Sequence, residues 1–312
     1  MKKILPLLFC LFLGLSACGP KAPDAQQRIA DSLRLDSMTL KIGYLPTLES
    51  LPLLAAQKMG WLDSLGTPVK LIPFEAAIDL DTALQNKRVQ LITTDLCRAI
   101  LMNQKDDSIK VVGKTQSAYY LITAQKQRLR KPKDLQERMV AIARNEQSDC
   151  MLDLLLEQQE MNVDFVNRPQ INSLALRREM ILNQEIDATF LPEPYASQCM
   201  VNGDRNIANS KEIGVSFSCL ATHLQWMAQF KEALQGVTRC YDKAAAWLNE
   251  NPVNLQDYYA IDKQVADTIQ LDTYQPLSMP QQRDIEKAKQ WLTGRKLMKQ
   301  TTHQLTDDSL IP

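Results

Sequence analysis

Histidine is nearly absent from this chain of 312 residues, which contains only His223 and His303, far apart in the sequence. The seven cysteines include no pair at C-x-x-C spacing. Zinc sites in proteins usually combine such cysteine pairs with nearby histidines. The sequence therefore gives little support for a metal site, and we expect neither a metal nor a cofactor.

An excess of charge of one sign is also missing, because 36 lysine and arginine residues balance 36 aspartate and glutamate residues. Proteins that bind nucleic acids or acidic polymers usually carry a strongly charged surface of the opposite sign. We therefore expect no nucleic acid partner. Since 45% of the residues are apolar, the chain can build substantial cores, and recognition of a ligand must come from a shaped site.

The apolar stretch at residues 4–15 is too short to span a bilayer as a helix. It follows Lys2 and Lys3 and ends in the letters LSAC at residues 15–18, a combination typical of a bacterial lipoprotein signal peptide. We predict a signal peptide at residues 1–17, a lipid on Cys18 and a tether at residues 18–38. The alternative is an ordinary secretory signal that includes a cysteine by chance; both place the mature chain on the periplasmic or cell-surface side of a bacterial membrane.

Five further cysteines lie in the body of the chain, after Cys10 and Cys18 are set aside. An odd number argues against a complete disulfide framework. We interpret these residues as small buried apolar side chains. They are Cys97, Cys150, Cys199, Cys219 and Cys240.

Short apolar runs alternate with amphipathic helical stretches from residue 40 onward, which predicts an α/β fold with mainly parallel sheet. The predicted strands are residues 40–45, 69–74, 89–93, 109–114, 119–124, 139–143, 188–191 and 215–222. Helices are predicted after Pro52 with a stop at Gly60, and at residues 148–159 and 174–182. Beyond His223 the pattern predicts helices only, at residues 230–249, 255–259, 265–269 and 280–293.

Two segments in different halves of the chain repeat one pattern. Residues 84–95 read LQNKRVQLITTD and residues 180–193 read MILNQEIDATFLPE. In each, a helix end and a polar turn lead into a short apolar strand that ends at an acidic residue. The repeat is either a chance reuse of a common α/β unit or the mark of two similar lobes that aim this turn at a shared cleft.

Several motifs together resemble the solute-binding proteins of the nitrate, sulfonate and thiamine-pyrimidine importer class. They are KIGYLPT at residues 41–47, MGWL at 59–62, VKLIPFE at 69–75, ITTDL at 92–96 and LPEPYAS at 191–197, and the resemblance covers residues 40–222. It implies a two-lobed type II periplasmic-binding-protein fold with a helical C-terminal part and two crossover strands, at residues 119–124 and 215–220. Lobe one would comprise residues 39–120 and 221–312, and lobe two residues 121–220. Residues 87–90 depart from the Gly-x-Val-Asp that the family often has there, which leaves the substrate open.

In open α/β sheets, ligands bind beyond the carboxyl ends of the strands. This rule selects the candidate ligand-binding residues. They are Thr47, Glu49 and Ser50 after the first strand, Phe74 and Glu75 after the second, Thr94 and Asp95 after the third, Gln116 after the fourth, and Asn145, Ser148, Glu193 and Tyr195 in the second half. Ordinary structural roles are the alternative, since the hydroxyl groups and Asp95 suit helix N-caps and Phe74 and Tyr195 suit a core.

Carboxylates outnumber basic groups among these candidates, which bears on the ligand. Four acidic residues would oppose a bare oxyanion, and only Arg98 and Arg144 are placed to clamp one. We therefore expect a ligand that offers N–H donors or partial positive charge. A nitrogen heterocycle such as a thiamine pyrimidine precursor fits this description.

The sequence thus favours an extracytoplasmic solute-binding lipoprotein that passes a small molecule to the permease and ATPase of an ABC importer. We expect a monomer without enzymatic activity. One alternative is an enzyme on the same fold, of a pyrimidine or menaquinone pathway, but the scattered cysteines and the late histidines speak against it. Another is a sensory binding lipoprotein without a transporter.

Overall fold

The computed structural model of the chain describes residues 34–299 and 303–311. The chain divides into Met1–Met38 and Thr39–Pro312. The predicted signal peptide, Cys18 and the tether up to residue 33 lie outside the described residues, and residues 34–38 are helical. Within the described ranges, no helix is both long enough and apolar enough to cross a membrane.

A five-stranded sheet contains the first four strands of the chain and the last one, in the order β2–β1–β3–β9–β4. Its strands are β1 (Leu40–Tyr44), β2 (Val69–Pro73), β3 (Leu91–Asp95), β4 (Ile109–Lys114) and β9 (Ser218–His223). β1 pairs in parallel with β2 and β3. β9 lies between β3 and β4 and runs antiparallel to both.

A four-stranded sheet contains the remaining strands in the order β6–β7–β5–β8. They are β5 (Tyr119–Thr123), β6 (Val140–Ala141), β7 (Ala188–Pro192) and β8 (Arg205–Asn209). β6 is parallel to β7, whereas β5 is antiparallel to both β7 and β8. Most strands of each sheet therefore run in one direction, as predicted, and the one strand that opposes the others arrives from the other sheet.

The chain passes between the two sheets twice, through residues 115–118 before β5 and residues 214–217 before β9. Only four residues separate β4 from β5, so a short connection joins the carboxyl end of β4 to the amino end of β5. Pairing then brings Asp95 opposite Ser218 in the first sheet and Tyr119 opposite Pro192 in the second. The carboxyl ends of the parallel strands of both sheets consequently meet at one junction, as in the expected two-lobed type II fold.

Helices connect the strands and form the last part of the chain. Those between β1 and β9 are α1 (Leu51–Lys58), α2 (Ala77–Gln85), α3 (Leu96–Lys105), α4 (Gln147–Gln158), α5 (Leu174–Leu182), α6 (Tyr195–Met200) and α7 (Ser210–Ile213). Those after it are α8 (Leu224–Gln229), α9 (Lys231–Glu250), α10 (Lys263–Thr268) and α11 (Gln282–Gly294), which confirms the helical C-terminal part. The predicted helix at 255–259 is only a 3-10 turn, Leu255–Asp257.

Two hydrophobic clusters fill the molecule, and each contains residues of both sheets. Successive residues of a strand point to opposite faces, so that Val111 and Phe190 contribute to one cluster while their neighbours Val112 and Leu191 contribute to the other. All five cysteines of the body are buried with free thiols, as predicted.

Candidate functional site

A cavity of about 130 Å³ lies at the junction of the two sheets. Leu48 borders it from the first sheet, and Tyr120 and Glu193 border it from the second. Other residues that border it are Gln116 on the first connecting passage, Val215 and Ser216 on the second, and Lys211, Asp272 and Tyr274. The cavity is thus enclosed by both sheets and by both passages between them, where the rule of strand ends predicts a ligand.

The loop after β1 is fastened to the opposite sheet and to the C-terminal segment. The amide of Leu48 donates a hydrogen bond to the carbonyl of Glu193 at 3.0 Å. The hydroxyl of Tyr259 donates to the carbonyl of Thr47 at 2.8 Å, and that of Tyr274 to the carbonyl of Leu48 at 2.9 Å. The hydroxyl of Ser50 donates to the carbonyl of Leu45 at 2.9 Å, which makes Ser50 part of the loop structure.

Asp95 and Glu193 occupy matching places in the two repeated segments. The turn before each strand contains a residue with a left-handed backbone, Lys87 at φ 59° and Gln184 at φ 63°. Asp95 caps α3 by accepting from the amides of Cys97 at 2.9 Å and Arg98 at 3.2 Å. Both acids are buried at the junction, with 2% and 8% of their surfaces exposed. The repeat therefore places one buried carboxyl group from each half at a strand end, where each accepts a hydrogen bond from the start of the following helix.

The carboxylate of Glu193 is held by its own helical turn. Its two oxygens accept from the amide of Ser197 at 3.0 Å and from the hydroxyl of Ser197 at 2.9 Å. Burial raises the pKa of Glu193, against the lowering effect of these hydrogen bonds. The hydroxyl of nearby Tyr120 is affected as well, since burial, with the charges of Glu193 and Asp272, raises its pKa to about 12.

Four buried acids, Glu49, Asp81, Asp95 and Glu146, form what we call the carboxylate cluster. The hydroxyl of Thr115 donates to Oε1 of Glu49 at 2.5 Å. Burial, with the charge of Asp95, raises the pKa of Glu49 to about 8. Burial also raises the pKa of Asp95 to about 7, and the charge of Glu146 is the next largest cause. Since Glu146 belongs to the second sheet and the others to the first, the cluster spans the junction.

Two guanidinium groups partly neutralise the carboxylate cluster. Arg98 forms an ion pair with Asp81 at 2.5 Å, yet burial outweighs this charge and raises the pKa of Asp81 to about 6. Arg177 is 1% exposed and donates to Oε1 of Glu146 at 3.4 Å and to the carbonyl of Phe190 at 3.2 Å. Both guanidinium groups are therefore already engaged with carboxylates of the chain.

Several buried polar atoms around the junction have no hydrogen-bond partner in the described part of the chain. They are Oγ1 of Thr47, Oγ1 of Thr94, Oγ of Ser218, Oδ1 of Asp81, Nε of Arg98 and Nε of Arg177. Buried polar groups are nearly always paired, because an unpaired one loses its interaction with water without compensation. Three of them, the hydroxyl groups of Thr47, Thr94 and Ser218, lie at or just beyond strand ends, where an unpaired hydroxyl group can bind a polar ligand.

The remaining predicted residues lie in different surroundings. The hydroxyl of Ser148 donates to Glu146 at 2.6 Å, which joins it to the carboxylate cluster. Gln116 borders the cavity, but its amide donates to the carbonyl of Thr273 at 3.2 Å and accepts from the amide of Gln275 at 2.5 Å. Gln116 thus holds the C-terminal segment.

A third group of predicted residues lies at a more open part of the junction. Phe74 and Tyr195 are half-buried and Glu75 is exposed. The guanidinium of Arg178 lies 5.8 Å from the centre of the Tyr195 ring, and the charge of Glu75 contributes to the raised pKa of Tyr195. Asn145 stands apart, because it borders a separate pocket together with Arg295.

Sequence reasoning missed several residues of the junction. Two of them, Asp81 and Arg177, carried a signal in the sequence. Asp81 lies four residues after Ala77 and Arg177 three residues after Leu174, which places each charge on the apolar face of its helix. A charge on such a face indicates a buried partner. The other residues, Thr115, Tyr120, Glu146 and Tyr274, carried no comparable signal. Among the described residues, no three histidine, cysteine or acidic side chains are grouped to hold a metal ion.

Solved structures share this architecture. The ligand-binding component of an ABC-type import system from Staphylococcus aureus, with zinc bound, is 17% identical, with a TM-score of 0.75 over 88% of this chain and 97% of that one. The alkanesulfonate-binding protein SsuA from Xanthomonas axonopodis pv. citri, bound to MOPS, is 18% identical, with a TM-score of 0.73 over 84% and 95%. PhnD1 from Prochlorococcus marinus, in complex with methylphosphonate, is 14% identical, with a TM-score of 0.57 over 83% and 98%.

At these identities the likeness establishes the periplasmic-binding-protein fold. A search of curated proteins gave no match. The family described as NMT1/THI5 like matches residues 47–255, about two thirds of the sequence. This chain therefore belongs to the NMT1/THI5-like family.

Proposed function

We propose that this protein is an extracytoplasmic solute-binding protein that captures a small molecule between two lobes and delivers it to an ABC permease and ATPase. Lobe one comprises residues 39–120 and 221–312, and lobe two residues 121–220. A lipid on Cys18 would hold the chain at the membrane. The observation that carries the proposal is the junction itself, where strand ends of both sheets surround a cavity and a set of unpaired buried polar atoms. Neighbours named as components of ABC-type import systems support it.

The ligand that this junction suits best offers N–H donors or positive charge. Arg98 and Arg177 are occupied by Asp81 and Glu146. The start of α3 attracts negative charge, as helix N-termini do, but the carboxyl oxygen of Asp95 already accepts hydrogen bonds from its amides. The cavity itself is bordered by the carboxyl groups of Glu193 and Asp272 and by Lys211, which is paired with Asp272, so a bare oxyanion would find little positive charge there. An aminopyrimidine, such as a thiamine pyrimidine precursor, would meet hydrogen-bond acceptors instead.

The placement of His223 supports binding over catalysis. This residue is the last of β9, whereas Ser218 at the opposite end of the strand lies at the junction. Five steps along a strand correspond to about 16 Å. Nδ1 of His223 accepts from the amide of Gln225 at 3.0 Å at the start of α8. The ring is therefore engaged at the far side of the first sheet, away from the proposed ligand.

Thermal unfolding in the presence of candidate ligands tests the proposal. We expect an aminopyrimidine to raise the unfolding temperature of the purified protein. The free energy of unfolding should increase by RT ln(1 + [L]/Kd), which is about 2.7 kcal/mol when the ligand concentration is a hundred times Kd. Mass spectrometry should recover the compound unchanged. An alkanesulfonate serves as the anionic comparison. If it stabilises the protein and the aminopyrimidine does not, the proposal of a ligand with N–H donors or positive charge is rejected. Chemical conversion of the compound would reject the binding role.

Variants of the junction make the test specific to the site. Glu193→Gln keeps the size of the side chain and removes its charge, and we expect it to weaken capture at least tenfold, about 1.4 kcal/mol. Glu185→Gln, at an exposed position of the same segment, is the matched control and should bind as the natural protein does. Equal affinities of the two variants would remove Glu193 from the site.

A further inference from the structure

Two cysteines meet where the helices following β3 and β6 pack against each other. Cys97 is the second residue of α3 and Cys150 the fourth of α4, and these helices are in contact. Both side chains are completely buried and belong to the same hydrophobic cluster. The Cys150 thiol is near enough to Cys97 to be among the causes that raise the pKa of Cys97. A thiol pair therefore connects helices that belong to different sheets.

The surroundings keep this pair reduced as long as the two lobes stay together. Burial and the neighbouring Cys150 thiol raise the pKa of Cys97 well above its usual value, and the charges of Asp95 and Glu146 act in the same direction. Since the thiolate is the reactive form, the enclosed Cys97 thiol reacts slowly. Separation of the lobes would expose the thiols to water and to other thiol reagents.

We propose that Cys97 and Cys150 form a reversible disulfide that locks the two lobes together. An exported protein disulfide or a low-molecular-weight disulfide acts as the oxidant. One cysteine thiolate attacks it and forms a mixed disulfide, with release of one thiol of the oxidant. After the lobes close, the second cysteine attacks the mixed disulfide and releases the other thiol. Two cysteine thiols are thereby oxidised to one S–S bond, and one disulfide is reduced to two thiols.

The location makes such a bond consequential. Disulfides form and persist outside the cytoplasm, which is where the proposed function places this chain. The bond would join the starts of two helices that flank the carboxylate cluster, so the lobes could not separate there. A ligand already between them would be retained, and an empty protein would be unable to take one up. The locking role, though not the bond, rests on the proposed opening of the lobes.

Peptide mapping after oxidation tests the bond without any ligand. The full chain is incubated with oxidised glutathione, its remaining thiols are alkylated, and the digest is examined by mass spectrometry. We expect a cross-linked peptide that contains Cys97 and Cys150, lost on reduction with dithiothreitol and absent from Cys97→Ala and Cys150→Ala. Cys199→Ala is the matched control, since Cys199 is buried in the other hydrophobic cluster, and should retain the cross-link. Absence of this peptide, or pairing of either residue with another cysteine, would overturn the proposal.

Exchange of a bound aminopyrimidine tests the lock. We expect oxidation to slow release of the compound at least tenfold in the natural protein and in Cys199→Ala, with full reversal by dithiothreitol, and to leave release unchanged in Cys150→Ala. Unchanged release from cross-linked protein would refute the lock. Should the aminopyrimidine fail to bind while the cross-linked peptide forms, the proposed ligand fails and the bond between the two helices stands.

Discussion

The carboxyl group of Glu49 is enclosed at the junction, where it accepts a hydrogen bond from the hydroxyl of Thr115 and is influenced by the charge of Asp95. Removal from water disfavours its charged form more strongly than one hydrogen bond favours it. Its pKa of about 8 and that of Asp95, about 7, mean that these acids hold protons over much of the neutral range. The protonation of these buried acids therefore changes across the neutral range, so the junction responds to pH.

Stability should therefore fall as the pH rises through the neutral range. The folded pKa of Glu49 lies above its ordinary value of 4.5, so between pH 5 and 8 the folded state binds more protons than the unfolded state. For each such proton, the free energy of unfolding falls by about 1.4 kcal/mol with every unit by which the pH rises. In urea titrations at pH 5, 6.5 and 8, Glu49→Gln should lose less stability with rising pH than the natural protein. Glu185→Gln, an exposed control, should follow the natural protein; a natural slope in Glu49→Gln would contradict the assignment.

The sequence identified these acids as candidate binding residues but did not reveal their hydrogen-bond partners. Strand ends predicted that Glu49, Asp95 and Glu193 would meet, and the structure brings them to one junction. The partners come from distant parts of the chain: Thr115 is 66 residues from Glu49, and Tyr274 is 226 residues from Leu48. Such pairs leave no periodic signal, because they depend on how whole elements pack.

Among the elements, those with a strong local pattern were predicted well. The strand at 109–114 and the helix at 174–182 match β4 and α5. β8 was missed because its sequence RNIAN is mostly polar, as an edge strand with one open side allows. The two repeated units were predicted as helix, turn and strand, and both contain a left-handed residue that is not glycine, Lys87 or Gln184.

Glycine at these two turns should stabilise the protein. A left-handed backbone costs a residue with a β-carbon about 1 kcal/mol, and glycine avoids this cost. We expect Lys87→Gly and Gln184→Gly each to be more stable than the corresponding alanine variant by about this amount, measured by urea denaturation. The alanine variants are the matched controls, since they remove the same side-chain contacts and keep the β-carbon. Equal stability within each glycine–alanine pair would show that the turns are not strained.

At the scale of the whole molecule, the two sheets do not have separate cores. Leu121 and Ile122 are neighbours in β5, yet they belong to different hydrophobic clusters, and the same holds for Cys219 and Leu220 in β9. Each cluster also includes residues of the other sheet. Separation of the lobes would therefore expose apolar surface in both clusters, which favours the closed arrangement and links the stability of one lobe to that of the other.

Unfolding should consequently occur in one transition, although the protein has two lobes. The four tryptophans allow a test, because Trp61, Trp226 and Trp247 lie in or against one cluster and Trp291 lies in the other. In Trp291→Phe, fluorescence reports the first cluster, while far-ultraviolet circular dichroism reports the secondary structure of both sheets. We expect the same urea midpoint from both signals, since a cluster that includes both sheets cannot melt with one sheet left intact. In a variant that keeps only Trp291, fluorescence reports the second cluster. Its urea midpoint should equal the midpoint measured by circular dichroism on the same variant. Two separated transitions would mean that each lobe is stable alone and that the shared clusters contribute little to holding the lobes together.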